Sequence, residues 1–156
     1  MTTGVQGGNA RRAWWWALFA LAIAGAIVFY LLTMPKTVPA SELPAHTPDV
    51  ANGEYIFTAG GCAECHAEPL AKCKDTKVKD KTRLAGGRCL KTDFGVFNVP
   101  NISPDKETGI GNWTEAQFVR ALRQGVRADG AHLYPVFPYT SFTKITDGDA
   151  TALYLY

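Results

Sequence analysis

Residues 62–66 read Cys-Ala-Glu-Cys-His, and no other stretch restricts the chain as tightly. Two cysteines separated by two residues and followed at once by histidine form the attachment site of a c-type haem. Each member has a chemical task. Cys62 and Cys65 lie about one helical turn apart, so both thiols can face one macrocycle and add to its two vinyl groups. His66 is then placed beneath the iron as its proximal ligand. Two other readings use the same cysteines. A zinc site would need further ligands, which Cys73 and Cys89 could supply. A thioredoxin-like redox pair would need a βαβ context, which the flanking sequence lacks. The pentapeptide favours one covalent haem c, held by Cys62, Cys65 and His66.

The chain has 156 residues, room for one domain and an appendage. Residues 1–10 are polar and Gly-rich and read as a disordered tail. From Ala13 to Met34 there is no charged side chain. As a helix this stretch would be about 33 Å long, enough to cross a bilayer. Arg11 and Arg12 precede it, and the next basic residue is Lys36. That asymmetry keeps residues 1–12 in the cytoplasm and sends the rest outward from a single-pass anchor over 13–34. Trp14, Trp15 and Trp16 suit the inner headgroup belt and Tyr30 the outer one. A cleaved signal peptide is the competing reading, with Val38-Pro39-Ala40 as a small-residue cleavage site. The apolar run exceeds the roughly 7–15 residues of a signal core, and proline before the cut is unfavourable. Either way the remaining residues lie outside the cytoplasm, on the periplasmic side of a bacterial inner membrane, where disulfides persist.

With two cysteines committed to haem, Cys73 and Cys89 remain. A disulfide between them would close a loop of about 17 residues and contribute on the order of 3 kcal/mol. Formal net charge is only +2, but Lys72 to Lys91 is strongly basic, with Lys72, Lys74, Lys77, Lys79, Lys81, Arg83, Arg88 and Lys91 against Asp75 and Asp80. Such a run is a solvated insertion, or a surface for an acidic protein or anionic lipid. No nucleic-acid-binding motif accompanies it.

Pro35, Pro39, Pro44 and Pro48 mark residues 35–48 as an extended tether. The domain then runs over 49–156. A first helix is expected from Pro48, with Thr47 as cap and Asp49 in the first turn, to Ala59, where Gly60-Gly61 stops it. Residues 67–100 are loop-rich. Asn101 to Asp105 and Gly109 to Gly111 read as turns. Thr114-x-x-Gln117 is a capping box opening a helix with Phe118, Val119 and Leu122 on one face, ended by Gly125. A last helix follows Thr146, with Asp149 at its third position, and carries Leu153 and Tyr154. No strand pattern competes, and there is no internal repeat. The expected fold is a small all-α domain wrapped round a haem that supplies apolar core.

Further blocks extend the pattern: Asn52-Gly53-Glu54-Tyr55 leading to Gly60-Gly61, Thr92-Asp93-Phe94-Gly95, Pro100 to Trp113, and His132-Leu133-Tyr134-Pro135-Val136-Phe137-Pro138-Tyr139-Thr140-Ser141. On these residues 49–156 resemble the monohaem class I cytochrome c domain. Within that class they are similar to cytochrome subunits of membrane-bound bacterial dehydrogenases for alcohols, aldehydes and sugar acids. The resemblance implies that Gly53 and Phe57 on the first helix pack against the last, with Leu153 and Tyr154 as partners. It also implies that a proline carbonyl accepts the Nδ1 proton of His66, with Pro100 first in rank and Pro69 second. One position departs from the pattern. The resembling subunits carry methionine, the sixth iron ligand, where this chain has Phe137, and its only methionines are Met1 and Met34. The sixth position is therefore expected to be open or weakly held, with Phe137 over the distal side. His132 ranks next as a ligand, followed by His46, Lys144, Tyr134, Tyr139, or a group on a following segment or another subunit.

Two functions follow. The first is electron transfer without catalysis of its own, between a periplasmic dehydrogenase and the respiratory chain, with dehydrogenase, oxidase or other cytochromes as partners. The second is a ligand-binding or sensing haem protein with an open iron.

Overall fold

A computed structural model describes residues 6–34, 47, 49–73, 77–81 and 83–156, apart from the side chains of residues 6–9, 78 and 79. The chain divides into two units, Met1–Lys36 and Thr37–Tyr156. Pro35, Pro39, Pro44, Pro48 and His46 lie outside the described residues, as do Lys74 and Asp75 of the basic run.

The first unit is helix α1, Gln6–Thr33. Its stretch Ala10–Thr33 contains an 18-residue window with a mean hydropathy of 2.2 and is long and apolar enough to cross a membrane. Trp14, Leu18, Phe19, Ile23 and Phe29 are all exposed. Trp15, Trp16, Leu21, Ile27 and Leu31 are exposed too, so large apolar side chains lie around the whole circumference and no single face is set aside for a protein core. Helix begins at Gln6, earlier than the disordered tail expected over residues 1–10. Extending an existing helix fixes one residue per hydrogen bond gained, so α1 propagates back through Gly7 and Gly8.

In the second unit, helix α2 is Val50–Ala59. Its cap is Asp49, not Thr47: the Asp49 carboxylate accepts from the amides of Ala51 at 3.0 Å and Asn52 at 3.2 Å. A charged acceptor at this position satisfies free donors and complements the helix dipole. Gly61, at φ +65°, then turns the chain into the short helix α3, Cys62–His66.

Residues 67–100 contain two small antiparallel sheets, a correction to the all-α expectation. Strand β1, Glu68–Pro69, pairs with β2, Val78–Asp80. Strand β3, Cys89–Thr92, pairs with β4, Gly95–Asn98, in the register Cys89 with Asn98 through Thr92 with Gly95. The Asp93-Phe94 turn is held by the Thr92 hydroxyl, which accepts from the Phe94 amide and donates to the Gly95 carbonyl. Runs this short carry no readable alternation.

Helix α4, Glu115–Gln124, opens with the complete Thr114/Gln117 capping box and ends at Gly125 with φ +66°. After the single turn α5, Tyr139–Phe142, helix α6, Asp147–Leu155, is capped by the Thr146 hydroxyl accepting from the Asp149 amide. Helix α6 crosses α2 at Gly53, where a Cβ would lie 2.2 Å from the Ala152 carbonyl oxygen. Asn52 Nδ2 donates to Asp149 Oδ1 across the same crossing at 2.7 Å. Of the partners expected for Gly53 and Phe57, Leu153 belongs to the core against which Phe57 packs, whereas Tyr154 does not meet them. Gly53 meets the Ala152 backbone and Phe57 meets the Tyr156 ring at 5.3 Å. Tyr154 instead packs on Phe118 and donates its hydroxyl proton to the Trp113 carbonyl. Val119, Leu122, Ala150 and Leu153 form the buried core, with Ile56, Phe57, Phe118, Phe137, Phe142 and Ile145 only partly buried against it.

Candidate haem-attachment site

The left-handed turn at Gly61 starts a helix just long enough to carry Cys62, Cys65 and His66. Cys62 is half-buried and Cys65 exposed, and neither is in a disulfide. Burial pushes the Cys62 thiol pKa up, which keeps it protonated. A Cβ on Gly60 would lie 3.6 Å from Cys62 Sγ and 3.7 Å from Phe142 Cε1, so thiol and ring flank the same spot.

His66 Nδ1 lies 2.9 Å from the Pro100 carbonyl oxygen. A carbonyl only accepts, so Nδ1 carries the proton and Nε2 keeps its lone pair. Burial lowers the His66 pKa and the Pro100 bond opposes that shift. The net direction favours neutral imidazole, the form that binds a metal. The structure thus selects Pro100 over Pro69 as the acceptor.

The segment before β3 frames this pair. The Gly86 amide donates to the His66 carbonyl at 2.8 Å, and the Gly87 amide donates to the Val99 carbonyl at 2.9 Å. Arg88 Nη1 donates to the Glu64 carbonyl, and Lys81 pairs with the Glu64 carboxylate at 2.7 Å, which lowers the Glu64 pKa. These roles of Gly86, Arg88 and Lys81 escaped sequence reading. The Gly86-Gly87 pair was the available signal, since adjacent glycines advertise backbone that other residues cannot adopt.

Cys73 and Cys89 are joined by a disulfide, with Cα atoms 4.7 Å apart. Among the described residues no three His, Cys, Asp or Glu side chains gather as a metal site would need. With Cys73 and Cys89 tied to each other, the zinc reading loses its remaining donors. His132 is exposed and sits in an antiparallel bridge with Val126. Phe137 stacks on Phe142 with ring centroids 6.0 Å apart.

No family model matches the chain. It is 44% identical over 144 residues to a diheme cytochrome c-type of Cereibacter sphaeroides, covering 92% of this chain and 46% of that protein. It is 42% identical over 136 residues to the fructose dehydrogenase cytochrome subunit of Gluconobacter japonicus, 87% of this chain and 25% of the relative. The gluconate 2-dehydrogenase cytochrome c subunit of Pantoea cypripedii matches at 40% over 107 residues, 69% of this chain and 22% of the relative. The chain is homologous to the cytochrome c subunits of dehydrogenases.

The chain spans less than half the length of these curated relatives. As a cytochrome relative its residues fit a haem on two counts. The two thiols and the histidine lie on one short helix, and the Nδ1 bond to Pro100 leaves Nε2 of the neutral ring with its lone pair. The apolar side chains of Ile56, Phe57, Phe137, Phe142 and Ile145 are only partly buried against the core, and the Phe142 ring flanks the same spot at Gly60 as the Cys62 thiol.

Proposed function

We propose that this chain is a membrane-anchored, periplasmic electron-transfer domain carrying one haem c, working between a dehydrogenase and the respiratory chain. The observation that carries the reading is the joint arrangement of Cys62, Cys65 and His66 on α3, with His66 Nδ1 held by Pro100. Cys62 and Cys65 would hold the haem through thioether bonds, and His66 Nε2 would ligate its iron. When bound, the haem supplies reversible one-electron chemistry. The chain's own residues do the rest. The Pro100 carbonyl fixes the imidazole ring and its proton. The partly buried phenylalanines offer an apolar wall that excludes water.

The sequence contains a single Cys-x-x-Cys-His, which supports one haem. Names of the relatives support the partner class: they include cytochrome subunits of fructose, gluconate and alcohol dehydrogenases. Anchoring rests on α1 and on Arg11 and Arg12 before it, with residues 1–12 cytoplasmic, 13–34 in the membrane, 35–48 as tether and 49–156 as the haem domain. The sixth iron position is open or weakly held, with His132 next in rank, because both methionines lie outside 49–156.

The test is expression with haem attachment, membrane fractionation, and haem staining after denaturing electrophoresis. The stain should follow the chain into the membrane fraction and disappear in the Cys62→Ser/Cys65→Ser variant. Haem that leaves the wild-type chain in acidified organic solvent would overturn the reading.

A further inference from the structure

Residues 83–88, in the later part of the basic run, do not pack as an ordinary surface loop. Arg83 O accepts from the Glu68 amide at 3.1 Å and Leu84 O accepts from the Ile102 amide at 2.9 Å. Gly86 N donates to His66 O at 2.8 Å, Gly87 N donates to Val99 O at 2.9 Å, and Arg88 O accepts from the Val99 amide at 2.8 Å. The segment therefore lies between the end of α3 and the irregular stretch from Val99 to Ile102 that follows β4, and bonds to both. Arg88 adds a side-chain tie to the Glu64 carbonyl, one of the carbonyls a helix leaves unpaired at its C-terminus.

Gly86 holds the decisive place. Its amide binds the main-chain carbonyl of His66. Its α-carbon faces the Pro100 carbonyl, the group that accepts the His66 ring proton. A Cβ at Gly86 would lie 2.5 Å from Pro100 C, from Pro100 O and from Val99 O, and the residue sits at φ +65°. Any side chain there must push the Pro100 carbonyl away from its present line. Gly87 is a natural contrast: it too has positive φ, +96°, but a Cβ would meet only the Lys72 side chain, at 3.4 Å.

We infer that Gly86 is a positioning residue for the axial histidine: by holding the His66 carbonyl while leaving room for the Pro100 carbonyl, it fixes the Nδ1 hydrogen bond that tunes the haem iron. Arg88 supports it by tying the same segment to α3. The inference rests on the proposed ligation of iron by His66. Its physical sign follows from that bond. A hydrogen bond from Nδ1 raises the donor strength of the imidazole. A stronger donor favours ferric iron, so displacing the Pro100 carbonyl weakens the donor and moves the potential upward.

The experiment compares wild type, Gly86→Ala, Gly87→Ala and Arg88→Gln as haem-loaded full chains. Midpoint potential is read by spectroelectrochemistry, and exchange of the His66 Nδ1 proton by NMR. Gly86→Ala should raise the potential and speed that exchange. Gly87→Ala should lower thermal stability but leave both readouts at wild-type values. Arg88→Gln should shift both in the direction of Gly86→Ala by a smaller amount, and it decides the matter if Gly86→Ala does not accumulate with haem. Equal shifts in Gly86→Ala and Gly87→Ala, or no shift in either Gly86→Ala or Arg88→Gln, would overturn the inference. A wild-type chain without covalent haem would overturn the functional reading instead, so the two failures are distinct.

Discussion

Phe137 occupies the position at which the resemblance leads one to expect a methionine, and its ring is stacked on Phe142 and packed against the core. A phenyl ring has no lone pair to give a metal, so the proposed iron would lack a thioether ligand from the haem domain. The reduced protein should then bind carbon monoxide readily, seen as a shift of its main absorption band. Phe137→Met should slow that binding, because a thioether would compete for the same position. Unaltered spectra of the wild-type protein under carbon monoxide would sink this expectation. Asp105 makes a second prediction at the same scale. Its carboxylate accepts from the amides of Glu107 and Thr108 and from the Thr108 hydroxyl. The bonds from Thr108 lead in lowering its pKa below the ordinary value of 3.8. A carboxylate whose folded pKa is depressed stabilises the fold above its unfolded pKa, and that gain is lost as pH falls through the folded value. Asp105→Asn should therefore melt below wild type at neutral pH, and the gap should close in acid below about pH 4. A gap independent of pH would show that the charge is not what matters.

Elements differ in how far their sequences announced them. Helices α4 and α6 were legible because their caps are local: Thr114 with Gln117, and Thr146 with Asp149, are read from neighbours in sequence. The start of α2 was misplaced by two residues because Thr47 and Asp49 are both good caps, and the choice depends on which one reaches the amides of Ala51 and Asn52. Strands β3 and β4 were missed. Four residues give no periodicity, and Leu90 pairs with Phe97 only once the turn at Asp93-Phe94 has formed. The Pro100 acceptor was reached through resemblance, since nothing local in Val99-Pro100-Asn101 points at His66. The α2–α6 crossing was legible as a glycine needing close approach, but not its partner, the Ala152 backbone. That contact makes a sharp prediction. Gly53→Ala places a methyl 2.2 Å from a carbonyl oxygen and 2.7 Å from its carbon, and a backbone cannot swing aside as a side chain can. Overpacking of this kind costs about 1–3 kcal/mol, more than the roughly 1 kcal/mol that alanine gains over glycine inside a helix. Urea denaturation of the haem-loaded variant should show a net loss; a gain would mean the helices separate without cost.

At the scale of the whole second unit, the packing poses a question of its own. Its buried apolar residues are mostly alanine and valine, with Leu122 and Leu153 the largest, and among the described residues no large side chain is fully buried. The larger apolar groups, Ile56, Phe57, Phe118, Phe137, Phe142 and Ile145, are only partly covered. Hydrophobic stabilisation scales with apolar area removed from water, about 25 cal/mol per Å², and small side chains remove little. The cost it must offset is about 1–2 kcal/mol per residue of backbone ordering. A planar apolar group against those phenylalanines would complete the burial, so the proposed haem is expected to hold the fold together as well as to carry electrons. The Cys62→Ser/Cys65→Ser chain, unable to keep the group covalently, should retain helix in far-ultraviolet circular dichroism. It should lose its near-ultraviolet signal, bind a hydrophobic dye and unfold in urea without a sharp transition. The Cys73–Cys89 disulfide constrains the unfolded chain and is expected to preserve part of this residual order, so reduction should flatten the urea curve further. If the double variant instead unfolds sharply, with the same urea slope as the haem-loaded protein, the protein's own side chains suffice for the core and the haem serves redox chemistry alone.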